Sequence, residues 1–227
     1  LNATWFNRTI RKDIFPFIQN NLLQLKNMAG HYNRGIELQF DYNPWLNGTG
    51  KVKTGTTLSF VRYQSKVTRI EQGYEQTPLA GFRNIHTALV KDKPLGVIVG
   101  TGWQRNAANQ VVIGNDGFPL VDPQLKVVGS PIPDFTMKLT EKLRYKNWSF
   151  LLDLEWRKGG VSWNGTQAML DYYGRSAVSA AERGTMNYVF DGVLLNGSHN
   201  TLPVAFNDPT LPLSQNRWVR YGPGGVA

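Results

Sequence analysis

The segment from Asp134 to Gly160 contains two apolar stripes of opposite parity. Apolar residues occupy odd positions before Lys146 and even positions after Asn147: Phe135, Met137, Leu139, Leu143 and Tyr145, then Trp148, Phe150, Leu152, Leu154 and Trp156. Alternation with a period of two is typical of a β-strand with one apolar face. The pattern therefore predicts two strands, at about 134–145 and 148–158.

A two-residue turn at Lys146 and Asn147 explains the change of parity. In such an antiparallel hairpin the residue numbers of two facing positions always add up to the same value, so Tyr145 faces Trp148. Odd positions on one strand therefore face even positions on the other, and the apolar residues of both strands share one face. The opposite face is polar and places Lys138 opposite Glu155. Asn147 tolerates the positive φ of a tight turn, whereas lysine is not the favoured residue for the first turn position.

Glu141 is an exception, because it falls on the apolar stripe opposite Leu152. A carboxylate at this position favours a water-soluble β-sandwich, whose inner face would show the same alternation. Acidic residues nevertheless cost less than basic ones on a lipid-facing strand. Both a soluble sheet and a membrane sheet therefore stay open at this point.

Further segments repeat the two-faced pattern and predict strands at about 1–12, 35–45 and 51–66. A tilted strand needs about 9–11 residues to cross a bilayer, whereas soluble strands usually have about 5–6. Aromatic residues at both ends of the 134–158 hairpin correspond to the girdles of an outer-membrane barrel. The predicted lipid-facing residues are Ile36, Leu38, Phe40, Tyr145, Trp148, Phe150, Leu152, Leu154 and Trp156.

The connections between the strands differ in length, with short turns near Pro44 and Lys146 and long segments at about 67–133 and 159–227. Short turns on one side and long loops on the other are typical of a membrane barrel. Loops of this length usually carry structure of their own. We expect a helix from Asn164 or Thr166 to Gly184, interrupted at Gly174, and a tight turn rather than a calcium loop in "IGNDGFPLVDP".

Composition narrows the function classes. The 227-residue chain has no cysteine and a formal net charge of +9. Disulfides and thiolate metal sites are excluded, and no apolar run is long enough for a membrane helix. The basic residues are scattered, which favours solvated loops, or contact with lipopolysaccharide phosphates, over nucleic-acid binding. Because the chain starts at Leu1 and ends without a closing element, we expect it to be part of a longer protein.

Catalytic patterns are weak throughout the sequence. His31, His86 and His199 do not have metal-ligand spacing, and no nucleophile elbow is present. Asp153 and Glu155 could resemble a glycosidase pair, but Lys138 and Arg157 are placed to neutralise them. We therefore expect no catalytic residue, no metal and no cofactor.

Recognition residues are expected in the long loops, since flat aromatic faces and a few polar anchors bind sugars and peptides. The candidate ligand-binding residues are Trp103, Arg105, Trp163, Asn164, Tyr172, Tyr173, Arg175, Trp218 and Arg220. Each of them could equally pack loop against loop or against a partner.

The quoted motifs together resemble one family. "GSPIPDFTMKLTEKLRYKNWSFLLDLEWRKGG", followed by "NGT" and "LDYYGRS", is similar to the late-barrel segment of SusC/RagA-type TonB-dependent outer-membrane transporters of Bacteroidetes. "NRGIELQFDYNP" and "KPLGVIVGTGWQRN" resemble upstream elements of the same family. The resemblance extends over most of the chain in the right order.

The resemblance implies an all-β fold, as part of a large antiparallel transmembrane β-barrel of about 22 strands with long extracellular loops containing short helical segments. It also implies location in the bacterial outer membrane among lipid and lipopolysaccharide, a SusD-like surface lipoprotein as partner, and no nucleic acid. Import of oligosaccharides or peptides would be driven by TonB through an amino-terminal region. We expect that region, the plug domain and the final strands to lie outside this sequence. The alternative is a soluble or surface all-β module that binds carbohydrate or another ligand.

Overall fold

The computed structural model describes residues 1–19, 22–44, 51–71, 74–212 and 216–217. β-strands form most of its regular structure, so the prediction of an all-β, mainly antiparallel fold with short helices is confirmed. In chain order the elements are β1 (Asn2–Gln19), β2 (Leu22–Tyr42), β3 (Val52–Ile70), β4 (Gln76–Gly81), β5 (Ile85–Val90), β6 (Val97–Gly100), β7 (Val112–Ile113), β8 (Lys126–Gly129), β9 (Pro133–Tyr145), β10 (Trp148–Gly159), α1 (Gly165–Tyr172), α2 (Ala177–Glu182) and β11 (Val193–Leu194).

The main sheet has the strand order β1-β2-β3-β9-β10, and all its neighbours are antiparallel. Its strands contain 18, 21, 19, 13 and 12 residues, well above the usual strand length of about 5–6. Within the described part of the chain, β1 and β10 are its edges. The sheet is therefore open, and closure into a barrel is not shown.

The strands β1 and β2 are longer than the sequence pattern predicted. Their added parts pair with each other, and the register shifts beside Asp13 and again, against β3, between Gly30 and His31. A β-bulge shifts the alternation of faces by one position. The alternation of apolar and polar residues is therefore interrupted at the bulges, although the strands stay paired beyond them.

The predicted β9–β10 hairpin register is confirmed from Tyr145 opposite Trp148 to Met137 opposite Trp156. The left-handed turn residue is Lys146, with φ of 51°, rather than Asn147. The expectation that asparagine would supply the positive φ was therefore wrong. The two paired strands determine the geometry of the turn, and Lys146 adopts the strained left-handed conformation that this geometry requires.

The long segments carry structure of their own, as expected from their length. The first contains β4 to β8, and a tight turn closes where Gly117 N donates to Gly114 O at 3.0 Å. The second contains α1 and α2, separated at Gly174, with Asn164 capping α1. Neither helix in the described chain has the length and apolar character needed to span a bilayer.

The chain divides into two compact units. The first comprises Leu1–Pro78, Ala88–Val97 and Gly129–Val161, and it contains the main sheet. Its buried cluster consists of Ala29, Val67 and Leu89, each 0% exposed. The backbone of Val67 is held from both sides, because its N–H donates to Lys93 O and its carbonyl accepts from Asp92 N, both at 2.9 Å.

The second unit comprises Leu79–Thr87, Ile98–Val128 and Ser162–Ala227. Phe118, Val204 and Phe206 form its buried cluster, and Phe190 packs against it. The Arg217 guanidinium lies 4.0 Å from the centre of the Phe206 ring and 3.5 Å from Glu182. A cation over an aromatic face and an ion pair thus hold Arg217 against this cluster.

Replacing the fully buried Leu89 should destabilise the first unit. Leu89→Ala removes a side chain from a closed cluster, so we expect a loss of about 2–5 kcal/mol in the free energy of unfolding, measured by urea titration. The exposed Leu195→Ala provides the matched control and should change that free energy by less than about 0.5 kcal/mol. Equal effects of the two substitutions would contradict the assignment of this core.

Candidate functional site

The strand register sorts the side chains of the main sheet onto two faces. One row of facing residues runs through Ala3, Leu38, Phe60, Met137 and Trp156 across all five strands. The next row runs through Phe40, Leu58, Leu139 and Leu154. All nine residues predicted to face lipid lie on this surface, which we call the apolar face.

The apolar face is open to its surroundings. Phe150 is 59% exposed and Leu154 is 52% exposed, and Leu38 and Phe40 are exposed as well. Five strands and about eight residues of height correspond to a flat area on the order of 600 Å². That value reaches the upper end of the largest apolar patch on a typical soluble monomer, about 300–600 Å².

Aromatic residues border the apolar face at both ends. Phe135 lies edge-on to Trp156 at 5.2 Å and at 5.7 Å from Phe60 at one end, while Tyr145 faces Trp148 at the other. The distance from Phe135 to Tyr145 is about 34 Å along the strand.

The opposite face of the sheet is polar and contains paired charges. Asp41 accepts hydrogen bonds from Thr57 at 2.8 Å and Gln39 at 2.9 Å. Asp153 accepts from Thr140 at 2.5 Å and lies 3.6 Å from Lys138. Glu155 pairs with Arg157 at 2.5 Å. The predicted neutralisation of Asp153 and Glu155 is therefore confirmed, and neither carboxylate is a free acid or base.

Glu141 does lie on the apolar face, as the pattern predicted, but it has a partner there. The Thr56 hydroxyl donates to Glu141 Oε2 at 2.5 Å, and Thr56 faces Glu141 across the β3–β9 ladder. Leu152 faces Glu141 from β10. A hydrogen bond from a facing strand lowers the cost of placing a carboxylate among apolar side chains.

A cleft in the second unit brings several predicted ligand-binding residues together. Its volume is about 460 Å³, and it is lined by Phe82, Trp163, Gly165, Thr166, Met169, Leu170, Tyr173 and Arg175. Phe82 and Trp163 meet edge-on with ring centres 5.4 Å apart. Trp163, Tyr173 and Arg175 are the sequence-predicted members of this aromatic cleft.

The end of α1 positions Arg175 at the cleft. Arg175 N donates to Leu170 O at 2.7 Å, and Gly174 N donates to Asp171 O at 2.9 Å. This pair of hydrogen bonds is a Schellman motif, in which the residue at the Gly174 position adopts a left-handed conformation. Gly174 has φ of 63°, which costs glycine little. The chain therefore reverses and places Arg175 beside Leu170, which also lines the cleft.

The cleft can hold a flat or apolar group and one anionic group. Tyr173 and Met169 are exposed, so the aromatic and thioether surfaces are accessible to a ligand. The Arg175 side chain is exposed and carries a planar guanidinium, which can bind a carboxylate in a bidentate manner. Thr166 adds one hydroxyl.

The other ligand-binding candidates lie away from this cleft or outside the described residues. Trp103 and Arg105 bridge to Val121 and Val111 on a separate ladder, and Arg105 donates to Asn109 O at 2.7 Å. Tyr172 lies edge-on to Tyr173 at 5.1 Å without lining the cleft. Asn164 accepts from Gln167 N at 3.0 Å as the cap of α1. Trp218 and Arg220 are outside the described residues.

Three titratable side chains, those of Asp122, His31 and His86, have local partners. Lys126 and the Gln124 N–H both hydrogen-bond Asp122 and hold the pKa of that carboxyl below its ordinary value. His31 is buried with Nδ1 3.3 Å from Asp13, and His86 Nδ1 lies 3.2 Å from Phe82 O. Among the described residues, no group of three or more His, Cys, Asp or Glu side chains could hold a metal ion.

No protein-family model matches the sequence, and no curated protein matches it. Solved structures do match. One of them, "Structure of the RagAB peptide transporter", aligns at 12% sequence identity with a TM-score of 0.47. The alignment covers 67% of this chain and 18% of that chain, so this chain corresponds to less than a fifth of the transporter chain's length.

Sequence reasoning missed five cleft residues: Phe82, Gly165, Thr166, Met169 and Leu170. Phe82 is 81 positions from Trp163, and nothing in either segment indicates that they meet. Met169 and Leu170 stand one helical turn from Tyr173, so the expected helix was the available signal for these two.

The Schellman glycine should be essential to the geometry of the cleft. Gly174→Ala forces a Cβ into a left-handed conformation, so we expect a cost of about 1 kcal/mol and about fivefold faster hydrogen exchange at the Arg175 amide. Gly184→Ala is the matched control, since a Cβ there meets no atom within 4 Å. Its exchange rates should stay unchanged, and faster exchange in the control alone would refute the motif's role.

Proposed function

We propose that this chain is part of the β-barrel of a SusC/RagA-type TonB-dependent transporter in the bacterial outer membrane. The apolar face would contact lipid tails, and the polar face would line the interior. The sequence motifs quoted above support the family, and the two-faced sheet supports the membrane setting. The barrel would import oligosaccharides or peptides, with TonB and a SusD-like surface lipoprotein as partners.

The observation that carries the proposal is the exposed apolar face across five long strands. If water were in contact with this face, the cost would be about 25 cal/mol for each Å² of apolar surface. Lipid tails remove that cost. The aromatic borders add support, because the amphipathic rings of tryptophan and tyrosine prefer the interface between lipid and water.

The paired charges of the polar face are compatible with a water-filled or plugged interior. Ion pairs such as Glu155 with Arg157 keep a polar wall without leaving a buried charge alone. The aromatic cleft of the second unit would contact the substrate, through Trp163, Tyr173 and Arg175. On this proposal it recognises a ligand and performs no catalysis.

The second candidate is a soluble all-β ligand-binding module, and Glu141 is the residue that favours it. A second protein layer could cover the apolar face and supply a partner for the carboxylate. Thr56 already supplies one within the sheet, which weakens that preference. The two candidates differ in what touches the apolar face.

Two neighbouring leucines distinguish these candidates. Leu151 and Leu152 are consecutive residues of β10 on opposite faces of the sheet, and both are exposed. A nitroxide at Leu152 should be relaxed mainly by lipid-soluble oxygen, and one at Leu151 mainly by a water-soluble nickel complex. The measurement is power-saturation electron paramagnetic resonance of the chain in lipid bilayers.

Because the native chain has no cysteine, each label can be introduced as a single cysteine without further changes. Leu154 and Glu155 provide a second pair on opposite faces. If Leu151 and Leu152 respond alike, or if the chain stays monomeric in plain buffer, the membrane proposal is wrong for this sheet.

The orientation of the barrel gives a further prediction. On the proposed topology the Lys146 turn faces the periplasm and the α1 segment faces outward, as short turns and long loops do in bacterial barrels. In intact cells a membrane-impermeant maleimide should therefore label Tyr173→Cys but not Lys146→Cys. Disrupting the outer membrane should expose both sites, and labelling of the Lys146 variant alone in intact cells would reverse the orientation.

A further inference from the structure

Three cations meet on the polar face at the end of the sheet nearest the Lys146 turn. Lys53 on β3 faces Arg144 on β9, and Lys142 lies two residues from Arg144 on the same strand. The residues that face them from the other sides are Gly55, Ser149 and Leu151. Directly facing positions are about 5 Å apart and alternate positions about 7 Å apart, so the Cβ atoms of the three residues form a compact group, which we call the cation triangle.

The charges of these three cations are not neutralised within the described sheet. Within the described part of the chain, none of Lys53, Lys142 and Arg144 has an ion pair within 4.0 Å. The neighbouring carboxylates are already engaged, since Asp41 binds Thr57 and Asp153 binds Thr140 and Lys138. Asp153 attracts Lys142 only at longer range. Like charges at facing positions destabilise a sheet, so this arrangement has an energetic cost.

A pocket with a volume of about 420 Å³ is lined by all three cations. Its lining also includes Asn43, Thr54, Gly55, Leu143, Ser149, Phe150 and Leu151. A Cβ at position 55 would lie 2.4 Å from Asn43 Oδ1, so the glycine allows the Asn43 side chain to lie against β3 beside the pocket. The Asn43 amide and the Ser149 hydroxyl add uncharged hydrogen-bonding groups at its edge.

We propose that this pocket binds a multivalent oxyanion, bearing closely spaced phosphate or carboxylate groups. Two ammonium groups and a guanidinium around an open space provide several donors and no competing negative charge, which is the chemistry that such an anion requires. The ligand would offset the repulsion between Lys53 and Arg144. The site depends only on the strand register, so it holds whether or not the apolar face contacts lipid.

A free polyanion and an acidic peptide share this chemistry. The experiment is calorimetric titration of the full 227-residue chain in detergent micelles with each of two probes, tripolyphosphate and a short peptide of alternating aspartate and glycine. The same peptide with asparagine in place of aspartate is the uncharged control. Tighter binding of one probe at equal ionic strength identifies the source of the anion.

The variants separate this pocket from general attraction to a basic protein. Lys142→Gln and Arg144→Gln should each weaken binding about tenfold, since each loses a charge-assisted contact. Lys146→Gln removes the same charge beside the pocket and should change the affinity by less than about twofold. Lys142→Arg should retain binding. Raising the salt from about 0.05 to 0.5 M should weaken binding of both probes.

Urea titration tests separately whether the variants are folded. Because each substitution at Lys142 or Arg144 by glutamine removes a repulsive charge, these variants should unfold at the same urea concentration as the wild type or at a higher one. The inference is overturned if neither probe gives saturable binding, or if the Lys146 variant loses as much affinity as the Lys142 variant. It is also overturned if the asparagine peptide binds as tightly as the aspartate peptide.

Discussion

The hydrogen-bonded register of the main sheet is the constraint on which the other features depend. Successive side chains of a strand point to opposite faces, and a shift of one residue would exchange the faces completely. The β9–β10 turn contains two residues, and the β3–β9 ladder continues the same pairing from Val52 to Val61. Leu58, Leu139 and Leu154 therefore meet in one row, while Ser59, Lys138 and Glu155 meet in the next.

The two faces created by this register satisfy different physical requirements. The apolar face contains few groups that need hydrogen bonds, and its one described carboxylate is bound to Thr56. On the polar face Asp153 pairs with Lys138, and Glu155 pairs with Arg157. Near the Lys146 turn, Lys53, Lys142 and Arg144 have no carboxylate partner among the described residues. Three neighbouring cations without such a partner form a local excess of positive charge.

The sequence predicted the parts of this fold that depend on short-range periodicity. The register of β9 and β10, the cap at Asn164 and the break at Gly174 all follow from residues within a few positions of each other. The extension of β2 back to Leu22 could not be predicted in this way. Met28 and Ala29 are adjacent and both are 0% exposed, and the register of β2 shifts here against both β1 and β3. No period of two survives such packing.

In the candidate site, too, the features that depend on nearby residues could be predicted from the sequence, and those that depend on distant segments could not. Trp163, Tyr173 and Arg175 could be chosen from residue type and loop position, but Phe82 reaches them only through the tertiary fold. The cation triangle was missed for a related reason, since Lys53 meets Arg144 through the β3–β9 pairing, across 91 positions of sequence.

Contacts between distant segments also explain why Glu141 is a weaker objection than the sequence suggested. The alternation within β9 showed a carboxylate on an apolar stripe, which favoured a soluble sheet. The pairing with β3 supplies Thr56 as a donor in the same row, and Thr54 stands two residues away on the same face. A polar group with a partner in its own sheet needs no second protein layer to satisfy it. Glu141 is therefore compatible with a lipid-facing surface, and the identity of the medium against Leu152 and Leu154 decides between the two functions.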